Sequence, residues 1–439
     1  MLDDPCNIYG TSFECSCGRT HDINPKAVVY ADDAMVRMSA ACAEFSDGRT
    51  CVVIDDIRTR AVAGDEVARA MTQGGWIVRR LLLEDPAPGE DPVCDDHTHA
   101  RLLPQVKGAD LLLPVGSGVI NDLGKWLAHD IGASYVSFAT AASMNGYTSA
   151  SVAPKIAGVK TLTPAQPPAL VFSVPQVIAE APLRMTTSGL GDVLARSVSS
   201  VDWYLNHVLF GDYYCQRSVD LVVGLEPLYL EHGERIRARD EAALAAMFDA
   251  LLLTGVATTM AGSSTPASGG EHLISHSLDM LSAIDGRPHD LHGRQVGVGT
   301  ILCAELYCRV LAVESPELVD PPASVDRELW GPLADEVADK FGQKRERLQL
   351  ARDALGRGDC WDRLREALFA MLRPPEQLRR CLEQAGAAVE AEHIGCDANR
   401  LTIAFTRGHQ IRARYTVLDL AWLLGLMPKV AHEIVEQWA

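Results

Sequence analysis

Over its first 175 residues the chain alternates short, apolar, β-rich runs with amphipathic ones. "CVVIDDIR" reads as a strand ending in acids, "DEVARAMTQGG" as a helix stopped by glycines, and "GWIVRRLLLE" as a second strand. "THARLLPQVKGA" predicts a helix, "DLLLPVG" a strand and "NDLGKWLAHDIG" a helix, and "SYVSFAT" and "PALVFSV" predict two more strands. Strands and helices in alternation predict a parallel sheet with helices on both faces.

After Pro175 the period changes. "VIAEAPLRMTTSGLGDVLARSVSSVDWYLNHV", "RDEAALAAMFDALLLTGVATTMAG" and "GVGTILCAELYCRVLAVE" repeat apolar residues every three or four positions, which predicts an almost entirely helical half. The charged, proline-punctuated region from about Pro316 to Arg347 predicts a surface loop. The expected architecture is an α/β domain over residues 1–175 and an all-α domain over 176–439. Such a pairing usually places an active site in the cleft between the halves.

Composition narrows the function classes. A length of 439 residues exceeds one typical core, and 47% hydrophobic against 22% charged residues describes a globular chain. A net charge of −18 argues against nucleic acid or an anionic membrane as the main partner. No run of eighteen apolar residues occurs, so no membrane span is expected. The start, "MLDDPCNIYG", does not read as a signal peptide. Twelve scattered cysteines fit reduced thiols in a cytoplasmic protein. In "CSCGRTH", Cys15, Cys17 and His21 could hold a metal, yet no second cysteine pair follows at zinc-site spacing.

Two regions carry candidate chemistry. In "DLLLPVGSGVINDLGKWLAHD" a strand runs through Gly116-Ser117-Gly118 into a helix, whose free N–H groups and dipole suit a pyrophosphate. The third glycine of the dinucleotide fingerprint is replaced by Asn121, and a bare G-x-G also serves as an ordinary tight turn. Asp55 and Asp56 close a strand where a carboxylate can meet a ribose, or simply face solvent. "FATAASMNGYTSASVAP" offers Thr140, Ser143, Asn145, Thr148 and Ser149 on a loop at the sheet's C-terminal edge. Lys160 is a candidate counter-charge for a ligand phosphate, although most single lysines are merely solvated.

The second region is "SGGEHLISHSLDMLSAIDGRPHDLHGRQ". His272 and His276 lie one turn apart on one helix face, His292 precedes a glycine that could begin the next helix, and His289 looks like a loop residue. Upstream, Asp192 follows a glycine-rich turn near the start of a helix in "TTSGLGDVLAR". One carboxylate and two neutral imidazoles suit a divalent transition metal with positions left open for substrate oxygens.

Four segments, "GSGVINDLGK", "TAASMNGYTS", "GLGDVLARSVSSVDW" and "SGGEHLISHSLD…LHGRQVGVGT", together resemble the sn-glycerol-1-phosphate dehydrogenases, in particular their bacterial arabinose-operon branch. These belong with dehydroquinate synthase, glycerol dehydrogenase and the iron-containing alcohol dehydrogenases. The resemblance covers roughly residues 50–310 well. It implies a Rossmann-like nucleotide-binding α/β domain and a helical metal- and substrate-binding domain, the dehydroquinate synthase-like fold. It also implies NAD or NADP, and one divalent metal (Zn, Ni or Fe). Carried over, Asp192, His272 and His292 match metal ligands, and His276 a substrate-side histidine that acts on the proton. Gly116, Ser117, Gly118, Asn121 and Asp122 match the pyrophosphate loop, Asp56 the ribose acid, and Thr140, Ser143 and Ser149 further nucleotide contacts. Asp192, His276, Asn145 and Lys160 would meet the substrate.

Two positions depart from the family. Asn145 stands where a substrate-contacting Asp is common, so the hydrogen-bonding shape is kept without the charge. Arg294 stands where many relatives carry Glu, and would either add positive potential near a phosphate or face solvent. The implied reaction interconverts dihydroxyacetone phosphate and sn-glycerol 1-phosphate. A reductase of another phosphorylated or phosphonylated ketone or aldehyde, a cyclase like dehydroquinate synthase, and a catalytically silent binding protein remain open. Asp192 favours the dehydrogenase, since the synthases commonly have glutamate as their first metal ligand. Asp56 favours NAD, because a carboxylate repels a 2′-phosphate. The expected partner is a small phosphorylated molecule, with no nucleic acid, in a chain compatible with a homodimer or higher homo-oligomer.

Overall fold

The structure, a computed structural model, describes residues 8–87, 90–156, 159–320 and 322–439, and the side chains of Val159 and Lys160 lie outside that description. The chain forms two compact units. The first comprises Met1–Gly189, Asp220–Leu228 and Ala238–Gly262, and the second Leu190–Val219, Tyr229–Arg237 and Ser263–Ala439. This partition is not a single cut near residue 175. Within the first unit, the helix Glu241–Ala261 is tied by Thr148 Oγ1 donating to the Leu252 carbonyl at 2.5 Å and Tyr9 donating to Asp249 at 2.8 Å. This helix is long and apolar enough to cross a membrane, yet 78% of its apolar window is buried.

Among the described residues the first unit has twelve strands: β1 (Ser12–Glu14), β2 (Thr20–Asp22), β3 (Ala27–Tyr30), β4 (Thr50–Asp56), β5 (Ile77–Leu83), β6 (Leu111–Gly116), β7 (Ser134–Ala139), β8 (Ser151–Val152), β9 (Lys155–Ile156), β10 (Val159–Lys160), β11 (Thr163–Pro164) and β12 (Leu170–Ser173). Six form one sheet in the order β3-β12-β7-β6-β4-β5, with every pairing parallel. Alternate residues face opposite layers. Val53, Leu113, Val115 and Phe138 pack with Met38, Val67 and Met71, whereas Val52, Ile54, Leu112 and Tyr135 pack with Leu102, Leu123 and Leu127. Fully burying one such aliphatic side chain is worth about 1.5–3 kcal/mol, which explains why β4 and β6 read as continuous apolar runs. The five predicted strands are β4, β5, β6, β7 and β12. β3 was not foreseen, because "AVVY" is too short to declare a period.

The second unit is helical, with its longest helices at Arg196–Phe210, Gly270–Asp285, His292–Leu311 and Ala334–Leu355. The surface loop expected within Pro316 to Arg347 lies before Arg327, and the rest of that region is helical. Beneath the charges of the helix Ala334–Leu355, Val337, Phe341, Lys344, Leu348, Ala351 and Leu355 keep helical spacing and are buried. Lys344 tolerates burial because its ammonium meets Asp419 Oδ1 at 2.9 Å.

Candidate metal centre and nucleotide loop

In the second unit, Asp192, His272 and His292 each turn one ligand atom inward, and these atoms all lie within 4.8 Å of one another. His272 Nε2 is 3.6 Å from Asp192 Oδ1. One carboxylate oxygen and two imidazole nitrogens at this spacing fit a borderline divalent cation. His276 stands one turn beyond His272, with ring centroids 6.0 Å apart, and 5.4 Å from the His292 ring. It is thus beside the ligand set and not in it. His289 sits in the loop after the helix Gly270–Asp285, paired with Asp279 at 3.4 Å.

The rings are held from behind. His272 Nδ1 donates to Glu271 Oε1 at 2.8 Å, leaving Nε2 toward Asp192, and His292 Nδ1 lies 3.1 Å from Ser275 Oγ. Burial alone would lower the His272 pKa, but Asp192 and Glu271 outweigh it and push it up to about 9. Two carboxylates flanking one imidazole make a place where added positive charge is stabilised, which is what a cation site requires. Glu271 is fully buried and was missed as a site residue. The available signal was its position beside a candidate ligand, the usual place for a carboxylate that orients an imidazole.

The paired glycines before Glu271 have a defined role. The Gly269 amide donates to Glu271 Oε1 at 2.6 Å and the Gly270 amide to Asp202 Oδ2 at 2.8 Å. Asp202 also accepts from Tyr307 at 2.5 Å and from the Val417 amide at 2.7 Å. Burial first, and then Glu271, raise the Asp202 pKa to about 7. The helix start that carries His272 is therefore fixed by its backbone.

"SGLGD" was expected to form a turn before a helix, but it lies inside the helix Leu183–Leu194, with Asp192 near its end. The glycines serve close helix packing. A Cβ on Gly191 would stand 2.0 Å from the Gly293 carbonyl oxygen, and one on Gly299 would stand 2.7 Å from that of Glu271. Backbones this close bring Asp192 to the first turn of the helix His292–Leu311.

The first unit holds the nucleotide candidates. β6 ends at Gly116, Ser117 caps the helix Gly118–Ile131 without a side-chain bond to its amides, and a Cβ on Gly118 would meet nothing within 4 Å. A 14-residue helix thus presents uncovered N–H donors beside open space, which fits a phosphate. Ser117 and Ser143 hydroxyls are hydrogen-bonded to each other, and Thr140 N donates to the Gly116 carbonyl at 3.3 Å. Asn121 turns away from this edge: its Oδ1 accepts from Tyr135 and, at 2.9 Å, from Ser137. Asp122 accepts from the Asn121 amide at 3.3 Å and from Ala153 N at 3.4 Å.

Lys125, also missed, ties this loop together. Its buried ammonium donates to the Gly146, Ser149 and Ser151 carbonyls at 2.5, 3.0 and 3.2 Å, and to Ser149 Oγ at 3.1 Å. Burial pulls its pKa down to about 8 against the opposing pull of Asp122. Asn145 opens the turn Gly146–Thr148 and is half-buried. Asp56 caps a helical turn, with Oδ1 accepting from Arg58 N at 3.0 Å and Thr59 N at 2.7 Å. The Arg58 guanidinium sits 3.1 Å from its other oxygen. The charge expected to repel a 2′-phosphate is therefore partly matched, which weakens the preference for NAD. Arg294 does not simply face solvent: it pairs with Asp290 at 2.8 Å and donates to the His393 carbonyl at 2.6 Å. The Lys160 side chain is outside the described residues.

A profile of the family described as iron-containing alcohol dehydrogenase matches residues 29–182. The glycerol-1-phosphate dehydrogenase (NAD(P)+) of Geobacillus thermodenitrificans is 28% identical over 414 residues, 94% of this chain and 96% of that protein. The protein of the same name from Thermococcus kodakarensis is 35% identical over 285 residues, 64% of this chain and 78% of its own. Among solved structures, glycerol dehydrogenase from Schizosaccharomyces pombe shares the fold, with a TM-score of 0.60 at 15% identity over 94% of this chain and 91% of that one. The chain belongs to the glycerol-1-phosphate dehydrogenase family and, with it, to the dehydrogenases.

Proposed function

We propose that the chain is a metal-dependent, NAD(P)-linked dehydrogenase that interconverts dihydroxyacetone phosphate and sn-glycerol 1-phosphate. The observation that carries the reading is the gathering of Asp192, His272 and His292 donor atoms within 4.8 Å, in a chain of this family. These three would hold one zinc, nickel or iron ion. The amides that open the helix Gly118–Ile131, with Ser117, Thr140 and Ser143, would hold the dinucleotide phosphates, and Asp56 its ribose. When bound, the cation supplies Lewis acidity and the nicotinamide an exchangeable hydride.

The chain's own residues do the rest. His276 holds a proton for the substrate oxygen that changes between carbonyl and hydroxyl, directly or through one water. Asp192 would hold the cation through one carboxylate oxygen, and its other oxygen would be available to a substrate hydroxyl. Glu271 and Ser275 keep the ligand rings oriented. Asn145 offers a hydrogen bond to substrate but accepts no proton, and Lys160 is the proposed counter-charge for the phosphate. A second reading, reduction of another small phosphorylated or phosphonylated ketone or aldehyde, is favoured by Asn145, where the family commonly has a carboxylate.

The test mixes purified chain, a reduced nicotinamide and dihydroxyacetone phosphate, and follows nicotinamide absorbance. Consumption that stops on chelation and returns with a divalent cation is expected. If no cation supports consumption, the substrate is wrong. If a panel of small ketones and aldehydes also leaves the nicotinamide untouched, the dehydrogenase reading falls with it.

A further inference from the structure

The N-terminal hairpin contains a second set of metal-ligating side chains, unused by the chemistry above. We propose that Cys15, Cys17 and His21 bind a structural zinc ion that staples the β1–β2 hairpin. The ligand atoms of these three residues all lie within 4.8 Å of one another, and Cys17 Sγ is 3.3 Å from His21 Nε2. Zinc bonds of about 2.3 Å to sulfur and about 2.0 Å to nitrogen set tetrahedral neighbours roughly 3.5–3.8 Å apart. The Cys17–His21 pair needs only a few tenths of an ångström to match, and the other pairs, within 4.8 Å, close by at most about 1 Å.

The local fold produces this arrangement. β1 and β2 pair antiparallel, with Phe13 opposite His21 and Glu14 opposite Thr20. Between them Cys15 N donates to the Arg19 carbonyl at 3.0 Å and Gly18 N to the Cys15 carbonyl at 2.9 Å. Gly18 has φ +83°, the left-handed conformation that lets so short a connection reverse while both thiols stay on one side. The Phe13 ring packs on the His21 ring at 5.5 Å, and His21 is only 4% exposed, so the imidazole is fixed before any ion arrives. Neither cysteine is in a disulfide.

An ion would add to the few anchors this hairpin has, among them Arg19 Nη1 donating to the Ala261 carbonyl at 3.3 Å. The hairpin's strands have three residues each and mostly exposed side chains, and a two-stranded hairpin of that kind is marginal in water. Two thiolates and an imidazole prefer zinc over hard cations such as magnesium or calcium. Binding releases the two thiol protons, and the fourth tetrahedral position falls to a donor outside the hairpin. A bare thiol–imidazole hydrogen bond would account for Cys17 and His21 alone. It would not account for Cys15 within the same 4.8 Å.

The test exploits sulfur. The centre at Asp192, His272 and His292 has no thiolate, so thiolate-to-metal charge transfer reports the hairpin site only. The full chain is loaded with cobalt(II) in place of zinc and its near-ultraviolet spectrum recorded. A charge-transfer band is expected in the wild-type chain and in His272→Ala, and its loss in the Cys15→Ser/Cys17→Ser double variant. Total zinc by elemental analysis should drop by one equivalent in the double variant. No band in the cobalt-loaded wild-type chain overturns the site even if the double variant fails to fold. A band and zinc content that survive in the double variant overturn it as well.

Discussion

Around Gly118 the groups available to a ligand are backbone N–H donors at a helix start, beside open space. Around His272 they are side chains, with both ligand imidazoles held by a second polar group, on helices pressed together at glycines. The first region offers a shape and a dipole to any phosphate, and the second offers a specific donor set to a cation. The difference teaches where each is fragile. A phosphate cradle fails when something fills it, whereas a metal centre fails when any of the packing behind its ligands moves.

His272→Ala should show the largest effect. It removes one donor and leaves Glu271 buried beside a lost partner, so the metal should be lost and turnover should fall by about a thousandfold or more. Full metal content with full turnover would sink the ligand assignment. Gly191→Ala tests the packing behind the ligands, since its Cβ would meet the Gly293 carbonyl at 2.0 Å. A stability loss of about 1–3 kcal/mol should appear in denaturant unfolding, together with weaker metal retention.

Glu271→Gln keeps the shape of the carboxylate behind His272 and removes its charge. Metal affinity in a chelator competition should fall by about 10–100-fold while the fold persists. An unchanged affinity would make Glu271 a fold residue only. Gly118→Ala is the sharpest contrast and the gentlest change, because its Cβ meets nothing within 4 Å. The melting temperature should hold, while the KM for nicotinamide cofactor rises roughly tenfold, about 1.4 kcal/mol. A lowered melting temperature with unchanged KM would mean the loop is not a cradle.

Much of this was legible in the chain. β4 and β6 were readable because both faces are buried, which writes an unbroken apolar run. His272 and His276 were readable because four-residue spacing fixes a shared helix face. β3 was not, being an edge of four residues. "SGLGD" misled because glycine marks turns more often than helix contacts, and only a facing backbone reveals the second use. The helix Ala334–Leu355 was hidden by its charged surface, although its buried positions keep helical spacing. Asp56 and Asn121 were placed by motif, and the structure shows the local bonds that already occupy them.

The sequence alone determined the type of each long element and the stock of donors, because periodicity and residue chemistry are local properties. Tertiary structure decided which histidines converge with Asp192, that Glu271 stands behind one of them, and that Lys125 closes the loop of Gly146 to Ser151. Those outcomes depend on how closely separate helices and loops approach. That distance is set by packing between positions far apart in the chain, and no local pattern records it.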